Sequence, residues 1–204
     1  MTPELGLLSD IEISRLAQDG MITPYIGALV RQLDPVSWRP GPRAISFGAS
    51  SYGYDLRLSP AEFKIFRHVP GTVIDPKAFN PANLEPAPLH HTPEGDFFIL
   101  PGNSYGLGVA LEHLAIPPDV TAFFIGKSTY ARCGLIANLT PGEAGWRGHL
   151  TLEFSNSSAA DIRIYANEGI VQAVFFRGTP CATSYADRAG KYQEQGPEVT
   201  LARV

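Results

Sequence analysis

Three stretches of this chain carry side chains able to do chemistry. The first is Gly126-Lys127-Ser128-Thr129-Tyr130-Ala131-Arg132. Its hydroxyls, its guanidinium and the amides freed at a glycine turn are the fittings of a polyphosphate site: an arginine fork grips phosphate in bidentate fashion, and exposed amides form a concavity for anions. A Walker A loop would need a glycine five positions before Gly126, where Thr121 stands. The bland reading of this stretch is an ordinary polar turn with a solvated Lys127 and Arg132. The second is His149-Leu150-Thr151-Leu152-Glu153-Phe154-Ser155-Asn156. A strand period puts Leu150, Leu152 and Phe154 on one face and Thr151, Glu153 and Ser155 on the other. Glu153 then meets either solvent, the usual place for a strand glutamate, or a ligand pocket. In a pocket, desolvation raises its pKa and fits it to shuttle protons. The third is a polar tail with Tyr185, Lys191 and Gln195, either a solvated terminus or an arm that closes over a ligand. Between them, Gln172 interrupts the apolar run Ile170-Val171-Gln172-Ala173-Val174, and a buried amide there needs partners.

The elements that hold these stretches read as follows. Ser9-Asp10-Ile11-Glu12 has the form of a capping box, followed by Ile13, Leu16 and Ala17 at helical spacing and Gly20 as a stop, which predicts a short amino-terminal helix. Residues 27–33 read as a further helical turn or two. Residues 34–42, with three prolines and a glycine, read as a loop. Then the period becomes two: Tyr52, Tyr54, Leu56 and Leu58 alternate with Gly53, Asp55 and Arg57. Residues 63–66, 97–100, 120–125, 135–139, 149–155, 162–165 and 170–176 are further strand candidates, separated by pairs such as Pro101-Gly102, Pro117-Pro118 and Pro141-Gly142. So many short strands predict a mostly-β sandwich or barrel. Residues 70–93 form a long connection without an assigned element, and His90-His91 within it reads as a loop pair. Beyond Pro180 the chain turns polar, so residues 181–204 read as an arm outside the core.

With 204 residues, 44% hydrophobic and 18% charged, the chain suits one globular domain spanning residues 1–204. A net charge of −4 offers no global basic field for nucleic acid, so phosphate binding has to come from a local cluster. Cys133 and Cys181 are the only cysteines and lack C-x-x-C spacing, so neither a disulfide scaffold nor a cysteine zinc site is indicated. Residues 1–10 show no basic region followed by an apolar stretch, and the longest apolar runs are too short for a bilayer. No signal peptide and no membrane are therefore expected, with the cytoplasm as the default location.

Several patterns together resemble one family. Residues 126–134 fit every fixed position of G-[KR]-S-[ST]-x-A-R-x-G. Thr151 to Asn156 fit T-L-E-[FI]-x-N, and Gly169 to Ala173 fit G-[IV]-x-Q-[VAL]. Ser184 to Gln195 fit S-Y-x-D-x-x-G-K-Y-x-x-Q. Residues 138–146 approach N-V-T-P-x-E-P-x-W, with Ala144 in place of the usual proline, and residues 45–57 are similar to the family's first signature strand. Over residues 8–201 the chain resembles the dCTP deaminases of the dUTPase-like superfamily. The resemblance implies a dUTPase-like distorted β-barrel or jelly roll with a short amino-terminal helix, assembled as a homotrimer with its sites between subunits. It implies hydrolysis of dCTP to dUTP and ammonia, serving dUMP and dTTP synthesis. By that resemblance Glu153 is general base and acid, and Ser128 helps to place the reacting water. Nucleotide contacts fall to Lys127, Ser128, Thr129, Tyr130, Ala131, Arg132, Thr151, Leu152, Glu153, Gln172, Tyr185, Lys191 and Gln195. Residues 140–146 would line base and sugar, Trp146 being either a ligand wall or a core aromatic.

The ligands implied are dCTP and dUTP, with dTTP as a candidate inhibitor. Zinc deaminases carry H-x-E…P-C-x-x-C. Here Pro180-Cys181 leads to Ala182-Thr183-Ser184, and no H-x-E exists, so no protein-bound metal is expected; Mg²⁺ enters only on the triphosphate. The family also contains a bifunctional enzyme that carries dCTP through to dUMP and pyrophosphate. A plain dUTPase and a non-catalytic, nucleotide-sensing trimer are rivals to the deaminase at this stage. One departure concerns the tail: Glu194-Gln195-Gly196-Pro197-Glu198 adds two carboxylates beside the proposed phosphate lid.

Overall fold

The computed structural model describes residues 5–33, 42–67, 69–138 and 140–204. In chain order they form β1 (Gly6–Leu7), α1 (Asp10–Gln18), β2 (Ile22–Thr23), β3 (Val30–Gln32), β4 (Arg43–Ser50) and β5 (Gly53–Phe66). A 3₁₀ turn at Pro81–Asn83 precedes β6 (Leu84–Pro86), β7 (His90–Thr92), β8 (Gly95–Leu100), β9 (Tyr105–Ala115) and β10 (Val120–Gly126). Then come α2 (Ser128–Ala131), β11 (Leu135–Asn138), β12 (Arg147–Asn156), β13 (Ile162–Tyr165) and β14 (Gly169–Arg177). Eleven strands join in one sheet of order β1-β14-β5-β9-β12-β11, with β10 on β14, β2 on β9, β4 and β6 on β5, and β3 on β4. A second sheet runs β13-β8-β7. The mostly-β expectation holds, and the expected distorted barrel takes the form of a curled half-barrel.

The core lies inside that curl. Phe63 stacks on Phe98 and Phe154, with ring centroids 5.3 and 6.1 Å apart. All three are buried, as are Tyr54, Leu56 and Leu58 on the inward side of β5. Residues 52–58 and 63–66, separate candidates in the sequence, belong to one long strand whose register against β9 shifts between Leu58 and Phe63. β9 itself is not among the sequence candidates. Its glycines and its acid hide it: a Cβ on Gly106 would stand 2.6 Å from the Phe63 ring, and one on Gly108 2.6 Å from Leu58. Glu112, fully buried in the same strand, accepts from the Arg57 amide at 2.9 Å and from its Nε at 2.7 Å. Burial pushes the Glu112 carboxyl up, against the pull of the Arg57 hydrogen bonds and charge.

The amino-terminal helix buries Ile13, Leu16 and Ala17 as the spacing predicts. Its capping box does not form: Ser9 makes no side-chain cap, because Glu12 turns instead to Arg177 Nη1 at 2.8 Å. Residues 27–33 are not helical; they lead into β3, which pairs with β4. Of the loop expected at 34–42, residues 34–41 lie outside the described residues, as does Leu139 at the end of the strand expected at 135–139. Within residues 70–93, β6 extends β5 and β7 extends β8. His90 and His91 are therefore strand residues rather than a loop pair. His90 stacks on Phe97 at 5.3 Å, and His91 Nδ1 lies 2.8 Å from Asp96. No helix among the described residues is long and apolar enough to cross a membrane.

Candidate active site

β12 runs between β9 and β11, and its register fixes what surrounds Glu153. Thr151 opposes Val109, Glu153 opposes Leu107 and Ser155 opposes Tyr105, while Asn138 of β11 opposes Glu153 from the other side. Directly opposed residues share a face, so these side chains converge. The other face sends Leu152 and Phe154 into the core, where both are buried. Strict alternation fails at one place. The register shifts between His149 and Thr151, and Leu150, partly buried against the core that holds Leu152 and Phe154, also lines the cavity of Thr151 and Glu153.

That cavity has a volume of about 570 Å³. Phe66, Phe79, Leu107, Leu150 and Leu201 supply apolar wall, and Thr140, Glu143, Tyr185, Lys191 and Gln195 supply polar groups. Glu153 is half-buried on its floor, and its carboxylate has no hydrogen-bond partner among the described residues. Burial alone pushes its pKa up from the ordinary carboxylate range. A carboxyl group so placed is a stronger base than an exposed one, which is what acid–base work asks of it.

The tail closes one side of the cavity by docking on the start of β12. Trp146 is buried and donates its indole N–H to the Tyr192 carbonyl at 2.7 Å, so its ring packs in the core while its edge lines the cavity. The amide of Glu194 donates to the Arg147 carbonyl, and that of His149 to the Gln195 carbonyl, each at 2.9 Å. Gln195 Oε1 accepts from the Thr151 amide at 3.3 Å and its hydroxyl at 3.4 Å. The Thr200 amide donates to Thr151 Oγ1 at 3.1 Å. Gly148 makes this possible: with φ +139 it brings β12 so near the tail that an added Cβ would stand 2.5 Å from the Gln195 nitrogen. The Tyr185 hydroxyl accepts from the Tyr192 amide at 3.0 Å, and Lys191 Nζ lies 5.3 Å from the Tyr192 ring centroid. Arg188 pairs with Glu143 across the cavity mouth. Of the tail's extra acids, Glu194 pairs with Arg147 at 3.6 Å, and neither Glu194 nor Glu198 lines the cavity.

The segment Lys127 to Arg132 lies elsewhere. After β10 it makes the short helix α2, with Ser128, Thr129, Ala131 and Arg132 exposed; Arg132 Nη1 folds back onto the Ser128 carbonyl at 3.1 Å. Tyr130 is buried, and its hydroxyl accepts from the Tyr165 amide at 2.8 Å. Lys127 is not a solvated lysine. Its ammonium is held by Asp55 and by Ser46 Oγ at 3.1 Å, with 11% of the lysine and 5% of the aspartate side chain exposed. Gln172 finds the partners its position demanded: Nε2 donates to Asp55 Oδ1 at 3.2 Å and to Ser50 Oγ at 3.3 Å. The fold thus assembles two groups. Thr151, Glu153, Tyr185, Lys191 and Gln195 meet at the cavity, whereas Lys127, Ser128, Thr129, Tyr130, Ala131, Arg132 and Gln172 do not line it. Leu152 contributes its side chain to the core.

Sequence reading missed Tyr105, Phe66 and Phe79 in the cavity wall. Tyr105 had a signal, since Tyr105, Leu107 and Val109 alternate at strand period. Phe66 and Phe79 reach the site only through folding of distant segments. Among the described residues no cluster of three or more His, Cys, Asp or Glu could hold a metal ion.

Comparison with known proteins follows the same line. A family model described as dCTP deaminase-like matches residues 7–178. The dCTP deaminase of Stenotrophomonas maltophilia is 45% identical over 204 residues, covering 98% of this chain and 100% of the relative. That of Gemmatimonas aurantiaca is 46% identical over 202 residues, with the same coverage. Among solved structures, the 2′-deoxycytidine 5′-triphosphate deaminase of Agrobacterium tumefaciens superposes with a TM-score of 0.54 at 18% identity. That match covers 86% of this chain and 49% of the other.

Proposed function

The chain belongs to the dCTP deaminase-like family, and from that premise we propose that it hydrolyses dCTP to dUTP and ammonia with Glu153 moving the protons. The observation that carries the proposal is the half-buried, unpartnered Glu153 carboxylate in a cavity closed by the tail. Its raised pKa leaves it basic enough to take a proton from water as the oxygen attacks C4 of the cytosine. The protonated carboxyl then returns a proton to ring N3. Glu153, ionised again, takes the hydroxyl proton of the tetrahedral centre and passes it to the exocyclic nitrogen; the bond from C4 to that nitrogen breaks, ammonia leaves, and C4 keeps the oxygen as a carbonyl. One carboxyl group can serve each transfer in turn, because each occurs around the same carbon. The cavity lining carries the carboxylates of Glu143 and Glu153 and, among the described residues, no histidine or cysteine. In this reading Mg²⁺ comes with the substrate, on the triphosphate. The product supplies dUMP and then dTTP synthesis.

The phosphate-gripping group would come from a second protomer. Ser128 and Arg132 are exposed and lie off the cavity of their own chain. Beside them Phe123, Ile125 and Ile136 are about half exposed, at 50%, 51% and 50%, and Phe176 packs edge-on against Phe123. An apolar strand face next to the exposed Arg132 suits burial against another copy, so that one protomer's Glu153 would meet another protomer's Ser128 and Arg132 in a trimer. Incubation with dCTP and Mg²⁺, followed by quantification of ammonia, dUTP, dUMP and pyrophosphate, tests the proposal. Ammonia in step with dUTP is the expected result. Ammonia in step with dUMP would assign the bifunctional reaction, and absence of ammonia would overturn the deaminase reading.

A further inference from the structure

We propose that the Tyr105 hydroxyl is a positioning group for Glu153, donating a hydrogen bond that favours the ionised carboxylate and aims it into the cavity. The inference rests on reading Glu153 as the base. It starts from register: Tyr105 opposes Ser155, two residues along from Glu153 and on the same face, while Asn138 opposes Glu153 from β11. The Tyr105 side chain crosses from β9 past β12 to reach β11, where its oxygen accepts from Asn138 Nδ2 at 2.9 Å. Glu153 therefore lies in the strand that this bridge passes over.

Hydrogen bonding on both sides of the bridge is incomplete. The phenol oxygen is occupied as an acceptor, and its own hydrogen has no acceptor among the described residues. The Glu153 carboxylate lacks a donor among the same residues. A half-buried acceptor without a donor is costly, and this hydroxyl lines the same cavity with its hydrogen unspent. The Tyr105 ring is held edge-on to Phe66, at 5.3 Å and 81° between planes, so the hydroxyl is presented from a fixed direction. The two groups feel each other: besides burial, the Glu153 charge raises the Tyr105 pKa while the Asn138 bond lowers it. The two groups are not hydrogen-bonded in the nucleotide-free protein, and contacts to catalytic groups often tighten only when the ligand closes the site. The other ionisable groups facing the cavity are Glu143 in the loop before Trp146, which is paired with Arg188, and Tyr185, Lys191 and Tyr192 in the tail. None of them is hydrogen-bonded to Glu153.

The test is Tyr105→Phe, which keeps the ring and its contact with Phe66 and removes only the donor. A donor to the charged form lowers a carboxyl pKa, so its loss raises that of Glu153. The acidic limb of kcat for ammonia release from dCTP should move to higher pH by about one unit, so that kcat on that limb falls about tenfold while KM for dCTP changes less than about twofold. Tyr105→Leu separates ring from hydroxyl. If Phe behaves as wild type and only Leu loses activity, Tyr105 is wall and the proposal is overturned. The same displacement is read without turnover by carbon-13 NMR titration of the Glu153 carboxyl in the complex with dUTP, assigned with Glu153→Gln. An unmoved titration in Tyr105→Phe overturns the proposal, and a raised one upholds it even in a protein that releases no ammonia from dCTP.

Discussion

Gly148→Ala asks whether docking of the tail, and not the cavity walls alone, sets nucleotide affinity. At φ +139 an L residue is strained, and its Cβ would stand 2.5 Å from the Gln195 nitrogen and 2.9 Å from the Gln195 oxygen. Neither atom can swing aside as a side-chain tip would, because both are backbone. The strain alone is about 1–3 kcal/mol. The least disruptive relief is for the tail to lift from β12. That forfeits the His149 amide bond to Gln195 at 2.9 Å and the paired contacts of Thr151 with Gln195 Oε1 at 3.3 and 3.4 Å. Each is a neutral bond worth about 0.5–1.5 kcal/mol. A shift of about 2 kcal/mol in the docking equilibrium is therefore reasonable as a lower figure. A nucleotide that binds only the docked form then loses affinity in proportion to the docked fraction, up to about 30-fold. Affinity is measured by calorimetric titration with dCTP, and tail release by the rate of trypsin cleavage after Arg188 and Lys191. The expected result is weaker binding together with faster cleavage at those two sites, with the thermal midpoint of the core little changed. Wild-type affinity in a chain whose tail has become trypsin-sensitive would refute the claim that docking gates binding. Wild-type resistance to trypsin would refute the steric reasoning itself.

The same geometry sets four further outcomes. Glu153→Gln keeps shape and removes basicity, so ammonia release should fall at least about 10²-fold while dCTP still binds; substantial residual turnover would mean that another group is the base. In the wild type, kcat/KM should fall on acidification through a pKa above the ordinary carboxylate range, because burial raises that of Glu153 and the base must be ionised; a limb at an ordinary Glu value would contradict the desolvation. Asp55→Ala strands the Lys127 ammonium in a site where only 11% of its side chain is exposed. Losing one partner of such a pair costs about 3–5 kcal/mol, or roughly 6–20 °C in thermal midpoint for a domain of this size, and a midpoint within about 2 °C of wild type would show the pair to be incidental. Finally, Arg132→Ala and Glu153→Gln should each be inactive alone, yet co-refolded in equal amounts should regain activity in about a quarter of the sites if each site draws on two protomers. No recovery would place both residues in one chain's site.

Much of the fold was legible because its signals are local. Ile13, Leu16 and Ala17 recur at helical spacing in nine residues that form the helix, and Val120 to Ile125 form an apolar run bounded by turn residues. β9 was not legible, since Gly106, Gly108 and Glu112 look like interruptions until Phe63, Leu58 and Arg57 are placed against them. The capping box failed for a related reason: Glu12 had a better partner in Arg177, 165 residues away. Local rules describe what a residue can do with its neighbours, and they lose wherever a buried charge from a distant segment competes. The same limit applies to the site. The chemistry of Thr151, Glu153 and the tail could be read from residue types, but the desolvation of Glu153 depends on Phe66, Phe79 and Leu201, which no spacing connects to it. That Leu150, packed against the core, also lines the cavity escaped too, because strict alternation does not foresee a register shift.

Charge balance explains why the two halves of the candidate site need not meet within one chain. Among its described lining, the cavity offers Lys191 as a cation against Glu143 and Glu153, and Arg188 at its mouth is already paired with Glu143. Lys127, a second lysine of the signature segments, is held by Asp55, which also accepts from Gln172. A polyphosphate placed in this cavity would thus face more carboxylate than ammonium. The same poverty of cations serves the proton chemistry, since a nearby ammonium would pull the Glu153 pKa back down and blunt it as a base. Acid–base work asks for a dry, charge-poor wall, and phosphate binding asks for exposed cations and free amides. Arg132 and the start of α2 meet the second requirement only where solvent, or another protomer, can reach them. Keeping the two environments on separate surfaces of one protomer and joining them across an interface would satisfy both, which is the physical ground for the proposed pairing of one protomer's Glu153 with another protomer's Arg132.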